Sequence, residues 1–228
     1  MKWVFLGDSL TWGGYGGRYL DEVARRLPAC TLINAGVGGD TVLNLLERLD
    51  AALTAQPDGV FVMIGGNDAI AYSQPATRPY YAQSKGVPDG VVTPQQFARA
   101  YRELLERLAL AHVPAWVGLP PIEYNPATVA ALRDYNQLAA QAARALNVPT
   151  LDLMAAFSPA QVPERPALNL GTINLIGRRI AAGWQDYETE RARGGYTFTF
   201  DGLHFTPEAA RRAGALVADF IAPNHPAT

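Results

Sequence analysis

Cysteine is almost absent. Cys30 stands alone in 228 residues, so no intrachain disulfide can form. No Cys/His cluster has zinc-ligand spacing, and neither a metal nor a cofactor is expected. Cys30 follows Pro28-Ala29 ahead of a strand pattern and reads as a small buried hydrophobe. Long hydrophobic runs are missing too, which excludes a membrane-spanning helix. Charge is nearly balanced at −2 without a basic run, so the chain carries no electrostatic footprint for nucleic acid. The start, Met1 to Leu6, begins like a signal segment. Its apolar run stops at Gly7 and no cleavage site follows. A cytoplasmic location is the expectation, although a mature chain with its signal removed and a Met added would look the same. There is no internal repeat and no low-complexity segment.

What is present is a hydrophobic content of 49 %, enough for a sizeable core, in a length that suits one domain over residues 1–222 with a loose tail from Pro223. Short apolar runs alternate with helical periodicities. The spacing predicts a strand at about 2–7 and a helix at about 17–27, with Tyr19, Leu20, Val23 and Leu27 on one face. Strand two is Thr31-Leu32-Ile33. It leads into a glycine-rich loop, 34–41, that opens a helix with Val42, Leu45, Leu46, Leu49 and Leu53 as its apolar face. Strand three, Val60 to Ile64, is apolar throughout, as expected when both faces of a parallel sheet are covered. A helix at about 94–111, strand four at Ala115–Leu119, a helix at about 126–146 and strand five at Pro149–Leu153 follow. Thr206 as N-cap with Pro207 at the first position starts the last helix, with Ala213, Leu216, Val217, Phe220 and Ile221 inward.

Two stretches break this rhythm. Residues 70–93 hold several prolines and glycines, three tyrosines (Tyr72, Tyr80, Tyr81) and no periodic pattern, and read as a long loop. Residues 158–199 are Pro-rich at first, then helical over about 172–192, then extended over Tyr196–Phe200. Five strands alternating with helices predict an α/β layer fold around a parallel sheet. In such sheets ligands bind beyond the C-terminal strand ends. Three polar, glycine-rich stretches fall there: Gly7 to Leu10, Gly36 to Thr41 and Gly65 to Asp68.

Serine and histidine are scarce enough to enumerate: Ser9, Ser73, Ser84 and Ser158; His112, His204 and His225. Only Ser9 ends a predicted strand. There a rigid strand holds the side chain, and the following helix offers unpaired backbone N–H groups and the positive end of its dipole. Gly-Asp-Ser alone is also ordinary turn chemistry. His225 lies in the tail. His112, between a helix and Val113-Pro114, has the position of a residue that satisfies the last helical carbonyls. His204 has Asp201 three residues before it, a spacing that lets the carboxylate accept from one ring nitrogen while the other faces outward as a general base. A plain Asp-Gly turn before a capped helix is the competing reading. Acyl transfer also needs donors for a developing oxyanion. The Ser9 and Gly39 backbone N–H groups and the Asn67 side-chain amide are the candidates, against a helix-start loop for Gly39 and an Asx turn for Asn67.

The blocks Gly-Asp-Ser-Leu (7–10), Asn-x-Gly-x-x-Gly-x-Thr (34–41), Gly-Gly-Asn-Asp (65–68) and Asp-x-x-His (201–204) occur in that order. Together they resemble the SGNH hydrolases, the superfamily of GDSL esterases and lipases. The resemblance runs from strand one to the last helix. It places the signature on Ser9, Gly39, Asn67 and His204, with Asp201 as third member of a Ser-His-Asp triad. It implies a three-layer, flavodoxin-like fold with a five-stranded parallel sheet flanked by helices, and metal-free ester hydrolysis. The Gly-x-Ser-x-Gly elbow of other serine hydrolases is absent, as this family leads one to expect.

The expected partner is a small-molecule ester, with short acyl (acetyl) esters on a carbohydrate first and a lysophospholipase or thioesterase substrate as the alternative. A non-catalytic, flavodoxin-like nucleotide or phosphate binder could use the same strand ends, and a catalytically silent interaction protein of the same family stays open. The insertions at 70–93 and 158–199 stand open as a cap, a homo-oligomer surface or a substrate groove. The tyrosines of the first either line a sugar or acyl pocket or simply pack the loop down, the second being favoured.

Overall fold

Alternation along the first strand, β1 (Lys2–Gly7), divides the core in two. Trp3 and Phe5 point to one face of the sheet, Val4 and Leu6 to the other, and all four are fully buried. The computed structural model describes residues 1–159 and 161–222; the tail from Pro223, His225 included, lies outside the described residues. After β1 come α1 (Ser9–Trp12), α2 (Tyr19–Arg26), β2 (Thr31–Gly36), α3 (Val42–Glu47), α4 (Leu49–Leu53), β3 (Gly59–Met63), α5 (Gly66–Ser73) and α6 (Arg78–Lys85). The second half is α7 (Pro94–Leu110), β4 (Ala115–Leu119), α8 (Pro126–Ala145), β5 (Thr150–Asp152), α9 (Leu153–Phe157), α10 (Leu170–Ala181), α11 (Tyr187–Gly194) and α12 (Pro207–Ile221). Among the described residues no helix is long and apolar enough to cross a membrane.

The five strands form one parallel sheet in the order β2-β1-β3-β4-β5. On one face, α2 and α12 cover Trp3, Phe5, Phe61, Met63 and Trp116. On the other, Val4, Leu6, Val60, Val62 and Ile64 meet Leu45, Phe97, Leu104 and Leu132 of α3, α7 and α8. The chain leaves β1 toward β2 on one side and returns to β3 on the other. The crevice at that reversal lies beyond the C-terminal ends of β1 and β3, where such folds bind ligands.

Several expectations change in detail. Strand two runs on to Gly36, because Ala35 and Gly36 stay in register with Leu6 and Gly7. The first full helix begins at Tyr19, not residue 17, after a positive-φ turn at Gly16. The helix expected over 42–53 is two, broken at Arg48, whose guanidinium is drawn to Asp40 and to the carbonyls of Ala35 and Gly7. The loop expected at 70–93 is largely helical: the end of α5, then α6, with single 3-10 turns at Pro75–Thr77 and Pro88–Gly90. Its prolines sit at first or second helical positions, where a missing N–H costs nothing, so they start helices instead of breaking them. No period was visible because α6 buries a single side chain, Tyr81. The extended stretch at 196–200 forms only a bridge from Thr199 to Phe205, not a strand. Cys30 is half-buried against the α2–α12 layer, not fully enclosed. In α12, Ala213, Val217 and Ile221 are buried while Leu216 and Phe220 are only partly so.

Where β1 gives way to α1, the backbone passes so close to its neighbours that no side chain fits. A Cβ on Gly7 would lie 2.3 Å from the Thr11 hydroxyl oxygen and 2.6 Å from the Met63 carbonyl oxygen. Gly7→Ala is therefore expected to destabilise the protein by about 1–3 kcal/mol and to lower catalytic activity with it. Urea unfolding and an activity assay on the same sample check this; a variant equal to wild type in both would show that the turn can open at no cost.

Candidate active site

Ser9 opens α1. Asp8 is its N-cap and accepts from the Leu10 N–H at 2.9 Å, so the cap side chain leaves the Ser9 N–H aimed outward. The Ser9 Oγ lies 3.0 Å from His204 Nε2, and His204 Nδ1 lies 2.7 Å from Asp201 Oδ2. The other Asp201 oxygen accepts the backbone N–H groups of Leu203 and His204 at 2.8 and 2.7 Å. One carboxylate thus closes its own turn and takes the inner ring nitrogen, which leaves Nε2 for Ser9. Burial pulls the imidazole pKa down, but the charge and hydrogen bond of Asp201 and the charge of Asp8 outweigh it, so His204 sits above its ordinary value. Tyr15 packs edge-on against the imidazole at 5.0 Å, and Phe200 stacks on it at 6.1 Å.

A cavity of about 390 Å³ opens in front of this relay. Gly38, Gly39 and Asn67 form one wall with Tyr80, while Trp12 and Tyr15 stand beside His204. Gly39 has φ +81°, and a Cβ there would meet the Tyr80 hydroxyl at 2.2 Å. Only glycine combines that conformation with that approach. Among the described residues, neither the Ser9 nor the Gly39 backbone N–H is taken by an acceptor. The Asn67 amide is partly engaged. Its Nδ2 donates to the Asp40 carbonyl at 2.9 Å and faces Asp8 Oδ2 at 3.4 Å, a contact too long to hold the second hydrogen firmly.

Ser9, Gly39, Asn67 and His204 therefore share one cavity, with Asp201 behind the histidine. The other candidates are elsewhere. Ser84 and Ser158 are exposed, and Ser73 donates to the Ala69 carbonyl. His112 is exposed, with φ +57° and its N–H on the Ala109 carbonyl. Of the three tyrosines at 70–93, Tyr80 and Tyr81 line the cavity, Tyr81 from a buried position, and Tyr72 is exposed.

Three carboxylates crowd beneath the site. Asp40 pairs with Arg48 and Lys85 at 2.8 and 2.9 Å. Burial pushes Asp8 up to about 6 against the pull of the Leu10 N–H and of His204. Burial pushes Asp68 up to about 8, although both its oxygens face the Val42 N–H. One important group gave no signal in the sequence: Glu123, a fully buried carboxylate just past β4. Its Oε2 accepts the Thr197 N–H at 2.8 Å, and its Oε1 accepts the Phe198 and Thr199 N–H groups at 2.8 and 2.7 Å. Its own N–H donates to the Gly202 carbonyl at 3.0 Å. It grips the segment that carries Asp201 and His204 at both ends. A lone Glu after Pro-Pro-Ile looks like any loop residue, since its partners are about 75 positions away.

Asp68 sets a pH dependence of stability. The folded protein holds a proton there up to about 8, whereas an unfolded chain releases it near 3.8. That contribution is full below the unfolded value and is lost as pH rises through the folded one. Between pH 6.5 and 8 the end of the Asp8 titration and His204 act on both proteins alike, and wild type is expected to lose about 4 °C more in melting temperature than Asp68→Asn. Equal slopes in thermal melts of the two proteins would mean that Asp68 is already ionised at neutral pH.

A family model described as GDSL-like lipase/acylhydrolase matches residues 5–212. No curated protein sequence matches the chain. Among solved structures, a lipase/acylhydrolase from Enterococcus faecalis is 22% identical, with a TM-score of 0.65 over 98% of this chain and 96% of that one. The acetyl xylan esterase AlAXEase is 17% identical, with a TM-score of 0.65 over 96% and 98%. A catalytic mutant of an acetylxylan esterase from Geobacillus stearothermophilus is 19% identical, with a TM-score of 0.65 over 96% and 93%. These likenesses carry the fold, and the family model carries the family. With nearly the whole chain inside that match, the protein belongs to the GDSL-like lipase/acylhydrolase family and is a carboxylic ester hydrolase.

Proposed function

We propose that the chain, one catalytic domain through residue 222, hydrolyses short acyl esters, acetyl groups on a carbohydrate foremost, through an acyl-enzyme on Ser9. The observation that carries this reading is the chain of contacts from Ser9 Oγ to His204 Nε2 at 3.0 Å and from His204 Nδ1 to Asp201 at 2.7 Å, opening onto unpaired N–H groups. His204 takes the Ser9 proton as Oγ attacks the ester carbonyl. The carbonyl oxygen becomes an oxyanion facing the Ser9 and Gly39 N–H groups and the second Asn67 hydrogen. His204, held in one tautomer by Asp201, gives the proton to the leaving alcohol. It then takes a proton from water, which attacks the acyl carbonyl and frees the acid and Ser9.

The substrate class rests on the cavity and on the neighbours. A 390 Å³ cavity has Trp12, Tyr15, Tyr80 and Tyr81 at its walls, aromatic faces that suit a sugar ring, beside Ile70, Ile122 and Leu203, aliphatic surface that suits a short acyl group. Two of the structural neighbours are acetylxylan esterases by name.

On p-nitrophenyl esters from acetyl to dodecanoyl, kcat/KM is expected to peak at acetyl, and Ser9→Ala to lose at least about a thousandfold in kcat. Near-normal turnover by Ser9→Ala would sink the mechanism. A peak at eight carbons or beyond would replace the acetylesterase with the lysophospholipase or thioesterase reading. Because His204 must be neutral to take the proton and its pKa is raised, kcat/KM is also expected to fall on acidification, with a midpoint above the ordinary histidine value. Activity undiminished at pH 4 contradicts a histidine base.

A further inference from the structure

We infer that α6, the helix inside the 70–93 insertion, is the outer brace of the oxyanion hole, with Tyr81 as a positioning residue for Asn67. The inference rests on the proposed role of Asn67 as an oxyanion donor. A surface helix normally docks through a stripe of several apolar residues. α6 buries one side chain, Tyr81, and that side chain is not merely packed. Its hydroxyl donates to Asn67 Oδ1 at 2.9 Å. Asn67 Nδ2 donates to the Asp40 carbonyl at 2.9 Å, which closes the chain from α6 through the amide to the Gly39-Asp40 loop. At the other end of the helix, Lys85 Nζ reaches Asp40 Oδ1 at 2.9 Å, and the Lys85 carbonyl accepts Asn44 Nδ2 of α3 at 2.8 Å. The insertion helix therefore touches both sides of the same unit: the amide that donates and the loop that presents the Gly39 N–H.

The physical need is specific. A side-chain amide can rotate about its last torsion, and only one orientation presents Nδ2 to a substrate oxygen. A donor on Oδ1 and an acceptor for one Nδ2 hydrogen fix that orientation and leave the second hydrogen for the reaction. Tyr81 supplies the donor. Burial raises the Tyr81 pKa well above its ordinary value, so it stays a donor across the working pH range. Such preorganisation acts on the transition state more than on substrate binding.

The test is a double-mutant cycle on p-nitrophenyl acetate with wild type, Tyr81→Phe, Asn67→Ala and the double variant, each with a thermal melt. Tyr81→Phe keeps the ring and removes only the hydroxyl. It is expected to lower kcat about tenfold with KM within about twofold, and Asn67→Ala to lower kcat about a hundredfold. In the Asn67→Ala background, Tyr81→Phe is expected to cost less than about twofold further, since nothing remains to be oriented. Losses that multiply in the double variant, or wild-type kcat in Tyr81→Phe, overturn the positioning role. Undiminished kcat in Asn67→Ala overturns the oxyanion reading itself, and the brace with it. Lys85→Met approaches the unit from the Asp40 side and is expected to lower kcat about threefold or more at unchanged KM; wild-type kcat there overturns the brace at that end.

Discussion

The Arg48 guanidinium ties the loop that carries Gly39 and Asp40 to the ends of the paired strands β1 and β2. Its Nε meets Asp40 Oδ2 at 2.8 Å, one terminal nitrogen donates to the Ala35 carbonyl at 2.7 Å, and the other to the Gly7 carbonyl at 2.9 Å. Gly7 is the last residue of β1 before Asp8 and Ser9, Ala35 is near the end of β2, and Asp40 follows Gly39. The Gly7 carbonyl already accepts the Val37 N–H at 3.1 Å, and Arg48 fills its second lone pair while also reaching the Ala35 carbonyl. A planar fork of fixed donors can take two carbonyls and a carboxylate at once, which a lysine cannot do with the same geometry. Arg48, reaching in from the break between α3 and α4, therefore helps Asn67 and Lys85 to set the distance between the Ser9 turn and the Gly39 loop.

The site has two halves, each stiffened by a buried polar side chain, Tyr81 behind Asn67 and Glu123 behind the Asp201–His204 turn. On the Asn67 side the chain of contacts runs Tyr81–Asn67–Asp40, with Lys85 and Arg48 neutralising the Asp40 carboxylate. On the His204 side, Glu123 takes three consecutive backbone N–H groups ahead of Asp201 and its own N–H donates to the Gly202 carbonyl. A hydrolase of this kind works by holding donors and a base still while charge develops, so stiff support behind each group is worth as much as the group itself. Electrostatics adds a second layer. Asp8 and Asp68 are buried near Asp40, and burial favours their protonated forms, which limits the negative charge beneath the cavity, as the proposed oxyanion requires. Whatever charge remains on Asp8 favours protonated His204, the form that gives up its proton to the leaving alcohol in the proposed mechanism.

The parts of this arrangement that were legible share a property: each is encoded within a few neighbouring residues. The apolar run Val60–Ile64 announces a strand covered on both faces, Thr206-Pro207 announces a helix start, and Asp201-Gly202-Leu203-His204 holds a carboxylate and an imidazole in one turn. What escaped was encoded between distant residues. Glu123 has no local pattern because its partners are backbone N–H groups brought in from the other end of the chain. α6 has no period because it docks through polar contacts instead of an apolar stripe, and its prolines, which start helices, resemble breakers when read without the helices. The break at Arg48 is invisible in the leucine spacing of 42–53, since the apolar face continues across it.

The order and spacing of the Gly-Asp-Ser-Leu, Gly-Gly-Asn-Asp and Asp-x-x-His blocks, set between alternating strands and helices, were enough to specify the sheet, its parallel sense and the family. The sheet and its parallel sense follow from hydrophobic periodicity, and the family from the resemblance those blocks carry; both signals act over short stretches of chain. The distance from Ser9 to His204, separated by 195 positions, the orientation of the Asn67 amide and the proton on Asp68 were settled by packing alone. Hydrogen-bond geometry and desolvation depend on what surrounds a group in space, and those surroundings exist only once the chain has folded.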